Sequence, residues 1–231
     1  MTDPADPVDS ASPARRIVLL AGPSGSGKGR LGHLVGLPVV ALDDFYRDHT
    51  EPGLPERYGI IDWDHPLTWD RDGALAALAD LARSGTARVP IYSIPQSRRV
   101  GVRELSAGHS PLVLAEGIFA AELVAPLREA GLLADAIVLK RPRPVVFALR
   151  LARDLRESRK PLPALVARGW GLTRSQRADV DRWAAAGMRP IGLKPAVAHV
   201  RRLGGAPPAA GRFRRSGRAL EKAARTGHGP R

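Results

Sequence analysis

The segment Gly22-Pro23-Ser24-Gly25-Ser26-Gly27-Lys28 limits what this chain can fold into more than any other stretch. It has the spacing G-x-x-x-x-G-K, follows the apolar run Arg16 to Ala21 (RIVLLA) and opens the expected helix Lys28 to Val35. Glycines let successive backbone N–H groups point at one anion, and the start of a helix adds favourable partial charge. The pattern predicts a phosphate loop in which residues from Gly22 to Arg30 surround a nucleoside triphosphate and Lys28 meets its β and γ phosphates. One position departs from the motif: Gly29 stands where a Ser or Thr hydroxyl normally coordinates Mg²⁺. A catalytically weak protein that binds nucleotide without transferring a phosphoryl group is therefore an open alternative.

The remaining pattern alternates short apolar runs with helical periodicity. Pro38 to Leu42 (PVVAL), Pro111 to Ala115 and Asp135 to Lys140 (DAIVLK) are expected to be buried strands. Arg88 to Tyr92 (RVPIY) is expected to be a short or edge strand, because Pro90 cannot donate to a central ladder. Thr68 or Asp70 can cap a helix whose face is Leu75, Leu78, Leu81 and Ala82 and which Gly85 closes. Further helices are expected over Ile118 to Ala130, from Pro144 to about Ser158, and as the last element over Thr173 to Ala186. This succession predicts an α/β fold of the P-loop NTPase type, a parallel sheet with helices on both faces. Ligands of such sheets gather at the strand C-terminal ends.

Composition bears on the boundaries and the partners. The chain of 231 residues is long enough for one sizeable α/β domain. It has no cysteine, which excludes thiolate metal sites, and no apolar run near the roughly 18 residues of a membrane span. No membrane partner is expected, and a cytoplasmic location is the default. The net charge is +13, but nine Lys or Arg against the single acid Glu221 in the last 31 residues supply +8 of it. That stretch is rich in Gly, Pro and Ala, and Phe213 is its only ring. A basic, disordered tail over 196–231 is expected, with a loose N-terminus over 1–14 and one domain over 15–195. Nucleic acid is not the expected partner, since a stacking surface needs interleaved aromatics. A homo-oligomer is left open.

Five further motifs follow the loop in order: LDDFYR, DWDHP, VPIY, LVLAEGIF and the Arg-rich ALRLARDLRESRK. With these the chain resembles the uridine–cytidine kinase branch of the phosphoribulokinase/uridine kinase family, from about Arg16 to Gly187. The resemblance implies a small-molecule kinase with a lid, using ATP and Mg²⁺ to phosphorylate the 5′ hydroxyl of a ribonucleoside, uridine or cytidine. It places Asp43 as the carboxylate that receives the hydroxyl proton, with Asp44, Phe45 and Tyr46 shaping the adjoining pocket. It gives Asp64 the ribose hydroxyls, and Tyr92 the nucleobase. Arg150 and Arg153 would lie in the lid and neutralise charge on the transferring group, Arg153 foremost. Asp43 and Glu116, acids at predicted strand ends, can also hold Mg²⁺, directly or through water, and Glu116 can instead orient the substrate.

Each assignment has a structural counterpart. Asp43-Asp44 suits an acidic helix start, Asp64 a turn cap beside His65-Pro66, Tyr92 a half-buried strand position, Glu116 a helix cap, and the arginines a solvated face. Where the family often has Asp and a base-contacting His after the Tyr, this chain has Ser93-Ile94-Pro95-Gln96-Ser97, and Gln96 offers a donor and an acceptor to a base edge. The acceptor is thus open to pantothenate, a sugar phosphate or nicotinamide riboside as well.

Overall fold

The computed structural model describes residues 15–23, 25–140 and 178–205. At its centre is β1 (Arg16–Ala21), whose residues 17 to 21 are fully buried. A strand with both faces covered has no room for polar alternation, which is why RIVLLA reads as a continuous apolar run. Around it five parallel strands lie in the order β2, β7, β1, β8, β9, with β2 Val39–Ala41, β7 Leu112–Glu116, β8 Leu133–Leu139 and β9 Arg189–Ile191.

Alternate β1 side chains enter two separate cores. Ile17, Leu19 and Ala21 pack with α2 (Arg71–Ser84), α3 (Val124–Glu129) and the helical segment at 178–185, through Leu78, Leu81, Leu127 and Trp183. Val18 and Leu20 pack on the other face with α1 (Lys28–Val35) and α4 (Leu193–Leu203), through Leu31, Ala196 and Val200. Helices therefore cover both faces of the sheet, and no helix among the described residues is long and apolar enough to cross a membrane.

Helix α2 follows its sequence signals closely. Asp70 is the cap, its carboxylate accepting the Gly73 N–H at 2.9 Å, and Gly85 ends the helix in the left-handed region at φ 82°. Thr68, the other candidate, instead closes a short 3₁₀ turn over Pro66–Thr68.

Arg88 to Tyr92, expected as a short or edge strand, lies in β5 (Thr86–Ser93), which among the described residues pairs with β6 (Arg98–Ser106) alone, in an antiparallel hairpin outside the main sheet. Pro90 is tolerated because β5 carries a ladder on one side only. A smaller hairpin joins β3 (Glu56–Arg57) to β4 (Ile60–Ile61). The expected helix from Ile118 to Ala130 is a 3₁₀ turn over Ala120–Leu123 followed by α3, because Gly117 to Phe119 form a turn that buries the Phe119 ring against Trp69.

The helix ending near Ala186 is not the last element. After Gly187 the chain adds β9 and α4, so the boundary at residue 195 falls inside a helix, and residues 196–203 are not part of a disordered tail. Burial of Ala196 and Val200 against the sheet is the physical reason. The expected helix from Pro144 to Ser158, the first residues of the Thr173 helix, the N-terminus 1–14 and the tail from 206 onward lie outside the described residues.

Asp135 anchors this added layer. Burial pushes its carboxyl up, but the Arg189 guanidinium, the Ala136 N–H and His199 at 2.6 Å outweigh that and hold it below the ordinary aspartate range. A carboxylate whose pKa is lowered on folding contributes stability above its unfolded value and loses it as pH falls through its folded value. Asp135→Asn should therefore cost about 1.5 to 3 kcal/mol at neutral pH, with the gap to wild type closing below the ordinary aspartate range. Urea midpoints at several pH values check this, and a gap that stays constant with pH would contradict it.

Candidate functional site

The phosphate loop joins β1 to α1. Gly22 (φ 151°) and Gly27 (φ 102°) both need backbone conformations that other residues rarely adopt, and a Cβ on Gly22 would lie 2.7 Å from Ser26 Oγ. Helix α1 carries no side-chain cap and no acid in its first turn, so its positive end faces the loop without a competing anion of its own. Lys28 Nζ donates to the Gly22 carbonyl at 2.8 Å, which folds the ammonium back across the loop. Ser26 Oγ is fully buried with no hydrogen-bond partner among the described residues. Pro23 is buried, Gly25 and Gly27 are half-buried, and Gly29 and Arg30 face outward. Ser24 lies outside the described residues.

Two acids meet this loop. Glu116, the last residue of β7, stands in register with Leu20 of β1 and Ala41 of β2, between the two strand ends. Asp43 follows β2 in a 3₁₀ turn over Leu42–Phe45. Burial pushes the Asp43 carboxyl up; Lys28 pulls it back in part and Asp44 pushes it up again. Asp43 is nevertheless open to solvent, which screens these interactions. The same balance acts on Glu116: burial raises it, Lys28 lowers it and Asp43 raises it. Lys28, Asp43 and Glu116 thus share one electrostatic environment at the C-terminal ends of three adjacent strands.

Gly117 lets these ends approach. A Cβ there would lie 2.7 Å from Leu42 Cβ and 3.2 Å from Asp43 Oδ1, so only glycine fits between β7 and the Asp43 turn.

An aromatic cluster lies beside the acids. The Tyr46 ring is 5.6 Å from both Trp63 and Tyr92 and 5.8 Å from Phe119, between centroids. Its hydroxyl donates to the Trp63 carbonyl at 3.1 Å. Burial raises its pKa first, and the charges of Asp43 and Asp64 raise it further, which puts Tyr46 within the reach of both acids. Asp64 is exposed beyond Trp63. The cap of the Pro66–Thr68 turn is His65, whose Nδ1 accepts the Leu67 N–H at 3.2 Å, so Asp64 is not held in that role.

Tyr92 is half-buried on β5, with its hydroxyl donating to the Arg47 carbonyl at 3.3 Å. Gln96 is exposed at the hairpin tip, its Oε1 accepting from Arg98 Nε at 3.0 Å. Phe45 is a correction: at 2% exposure it belongs to the core and shapes no pocket wall. Arg150 and Arg153 lie outside the described residues.

Sequence reasoning missed four participants: Trp63, Phe119, Arg99 and Arg103. The first two lie inside motifs already quoted, DWDHP and LVLAEGIF, where a ring next to a candidate acid was the available signal. The arginines lie on β6, a strand that was not expected.

Among the described residues no group of three or more His, Cys, Asp or Glu could hold a metal ion by itself. The donors that fit a hard cation here are the carboxylates of Asp43 and Glu116 together with the oxygens of a bound phosphate chain. Gly29 supplies none, although a Cβ there would meet nothing within 4 Å.

No family model matches the chain. Among curated proteins, the uridine kinase of Histophilus somni (strain 2336) is 25% identical over 162 residues, 65% of this chain and 73% of its own length. The uridine kinase of Listeria welshimeri is 27% identical over 157 residues, with the same coverage. The chain is similar to uridine kinases over about two thirds of its length. A solved structure of a candidate fructose transport system kinase from Silicibacter sp. TM1040 is 25% identical, covers 76% of this chain and 88% of its own, and superposes with a TM-score of 0.54. The inorganic pyrophosphatase TTM2 of Arabidopsis thaliana is 36% identical over 119 residues, but the match spans 48% of this chain and only 16% of that protein. With the parallel sheet and the phosphate loop, these likenesses mark an α/β P-loop kinase fold, and the kinase relatives point to a phosphotransferase that uses ATP.

Proposed function

We propose that this uridine kinase-like chain transfers the γ-phosphoryl of ATP to the 5′ hydroxyl of a ribonucleoside, uridine or cytidine. The observation that carries the reading is the meeting of Lys28, Asp43 and Glu116 at the ends of β1, β2 and β7. Lys28 and the loop hold the triphosphate. Asp43, on the turn after β2 beside the loop, takes the hydroxyl proton. Asp64 grips the ribose, and Tyr92 and Gln96 on the hairpin face the base. Mg²⁺ bound with the nucleotide, near Asp43 and Glu116, would neutralise phosphate charge. The protein's own part is alignment and charge stabilisation, since phosphoryl transfer asks for little covalent participation.

A sugar is the second acceptor class. The likeness to a candidate fructose transport system kinase favours it, as does Ser93-Ile94-Pro95-Gln96-Ser97 at the hairpin tip, which lacks the family's Asp and His. A panel of ribonucleosides, pantothenate and sugars with labelled ATP separates the two classes.

Asp64→Ala should raise the acceptor KM by about tenfold or more, since a charge-assisted hydroxyl contact is worth roughly 1.5 to 3 kcal/mol, and should leave the ATP KM nearly unchanged. A 2′-deoxynucleoside should suffer a similar loss in wild type and little further loss in the variant. Additive losses would show that Asp64 does not hold the ribose.

Gly29→Ser restores the hydroxyl that the motif lacks, in open space and at a helix start. The Mg²⁺ concentration for half-maximal turnover should fall severalfold at fixed saturating ATP and acceptor. An unchanged titration would mean that water, Asp43 or Glu116 already completes the coordination.

A further inference from the structure

The turn that carries Asp43 is bound to the β5–β6 hairpin by contacts that phosphate binding and proton transfer leave unused. Asp44, the next residue, accepts from Arg103 Nη2 at 3.3 Å, and the nearby Tyr92 main chain also favours its charged form. Arg103 lies on β6 opposite Val89, and Tyr92 lies on β5, so one carboxylate engages both strands of the hairpin. Arg99 extends the contact along the same segment. Its Nε donates to the Tyr46 carbonyl at 3.1 Å, and its main-chain N–H donates to Asp48 Oδ1 at 2.6 Å. Its Nη2 bonds Asp70 Oδ2, in the cap of α2, at 2.8 Å.

Ion pairs this accessible contribute little to stability in general. Their geometric effect is larger here, because the two elements they join carry different parts of the acceptor site. Asp43 stands on one side, and Tyr92 and Gln96 stand on the other. The hairpin is outside the main sheet: Ala87 and Val89 anchor its base in the core, and the contacts of Asp44 and Arg99 join its outer half to the Asp43 turn.

We propose that Asp44 and Arg103 are positioning residues for the acceptor, fixing the distance between the hairpin that meets the acceptor's far end and the carboxylate that meets its hydroxyl. The inference rests on the phosphotransferase reading above. Its consequence is selectivity by length: an acceptor spanning Asp43 to the hairpin reacts, and a shorter one is held without alignment.

The test is steady-state kinetics with ATP and acceptor varied separately, on wild type, Arg103→Ala, Arg103→Lys, Asp44→Asn and the double variant Asp44→Asn/Arg103→Ala. Arg103→Ala should lower kcat/KM for the acceptor about tenfold, with the ATP KM within about twofold. Arg103→Lys should recover most of the loss, and the double variant should be no worse than the worse single one. Arg103→Lys and Asp44→Asn keep charge or shape, so the series stays readable even if Arg103→Ala does not fold. Additive losses, or equal losses in ATP and acceptor parameters accompanied by a lower Tm, would reduce the pair to a structural contact and overturn the proposal. Turnover by wild type with unaffected variants would sink the pair alone. A wild type that binds ATP but phosphorylates no acceptor would remove the phosphotransferase reading, and the positioning role with it.

Discussion

Asp43→Asn should lower turnover by about 10²- to 10⁴-fold, the usual contribution of a positioned general base, with ATP affinity within about twofold of wild type. The amide keeps the shape of the carboxylate and leaves the Gly22 to Lys28 loop untouched, but it cannot accept the hydroxyl proton. Both halves of the expectation come from placement. Asp43 stands on the turn after β2, across Glu116 from the loop, and it feels Lys28 as a charge without forming the cradle itself. Single-turnover kinetics together with equilibrium binding of a fluorescent ATP analogue separate the two effects. Turnover near the wild-type rate would mean that another group takes the proton.

Gly117→Ala should damage the site by crowding alone, without removing any functional group. The added methyl would lie 2.7 Å from Leu42 Cβ and 3.2 Å from Asp43 Oδ1, and the first neighbour is a core side chain that cannot swing aside. Leu42 and Asp43 must shift together. A displacement of that size at a reacting group can cost up to about 100-fold in rate, and overpacking of this kind costs about 1 to 3 kcal/mol in stability. We expect kcat to fall by about ten- to a hundredfold, ATP binding to survive, and Tm to drop. An alanine variant with wild-type kcat would show that the β7 end and the Asp43 turn are not closely coupled.

The parts of this molecule that could be read from its sequence are those whose signals are local. The phosphate loop declares itself because glycine spacing and the flanking apolar run lie within about a dozen residues. Asp43 and Glu116 both follow apolar runs whose ends a parallel sheet brings together, although only the family resemblance singles out Asp43 from Asp44. Helix α2 was found from a cap, a period and a closing glycine.

What was missed depends on distant partners. β6 alternates only weakly and exposes Val100 and Val102, so nothing local marked it as the partner of β5. β9 has only three residues and is defined by pairing with β8. Helix α4 was hidden by basic composition, since Arg201 and Arg202 begin the cationic stretch directly after Ala196 and Val200, which anchor the helix in the core. Phe45 was misplaced because neighbouring positions in a 3₁₀ turn point to different environments, so it enters the core while Asp43 and Asp44 do not. The Asp44–Arg103 pair could not be read at all, being 59 residues apart with no family motif to carry it.

The most direct test is turnover of the full chain with ATP, Mg²⁺ and the four ribonucleosides, with products separated by chromatography and ADP counted against nucleoside monophosphate. The expected result is 5′-monophosphate from uridine or cytidine, formed one for one with ADP and at least about 10²-fold slower with Asp43→Asn. ATP binding with no monophosphate from any ribonucleoside would contradict the central claim.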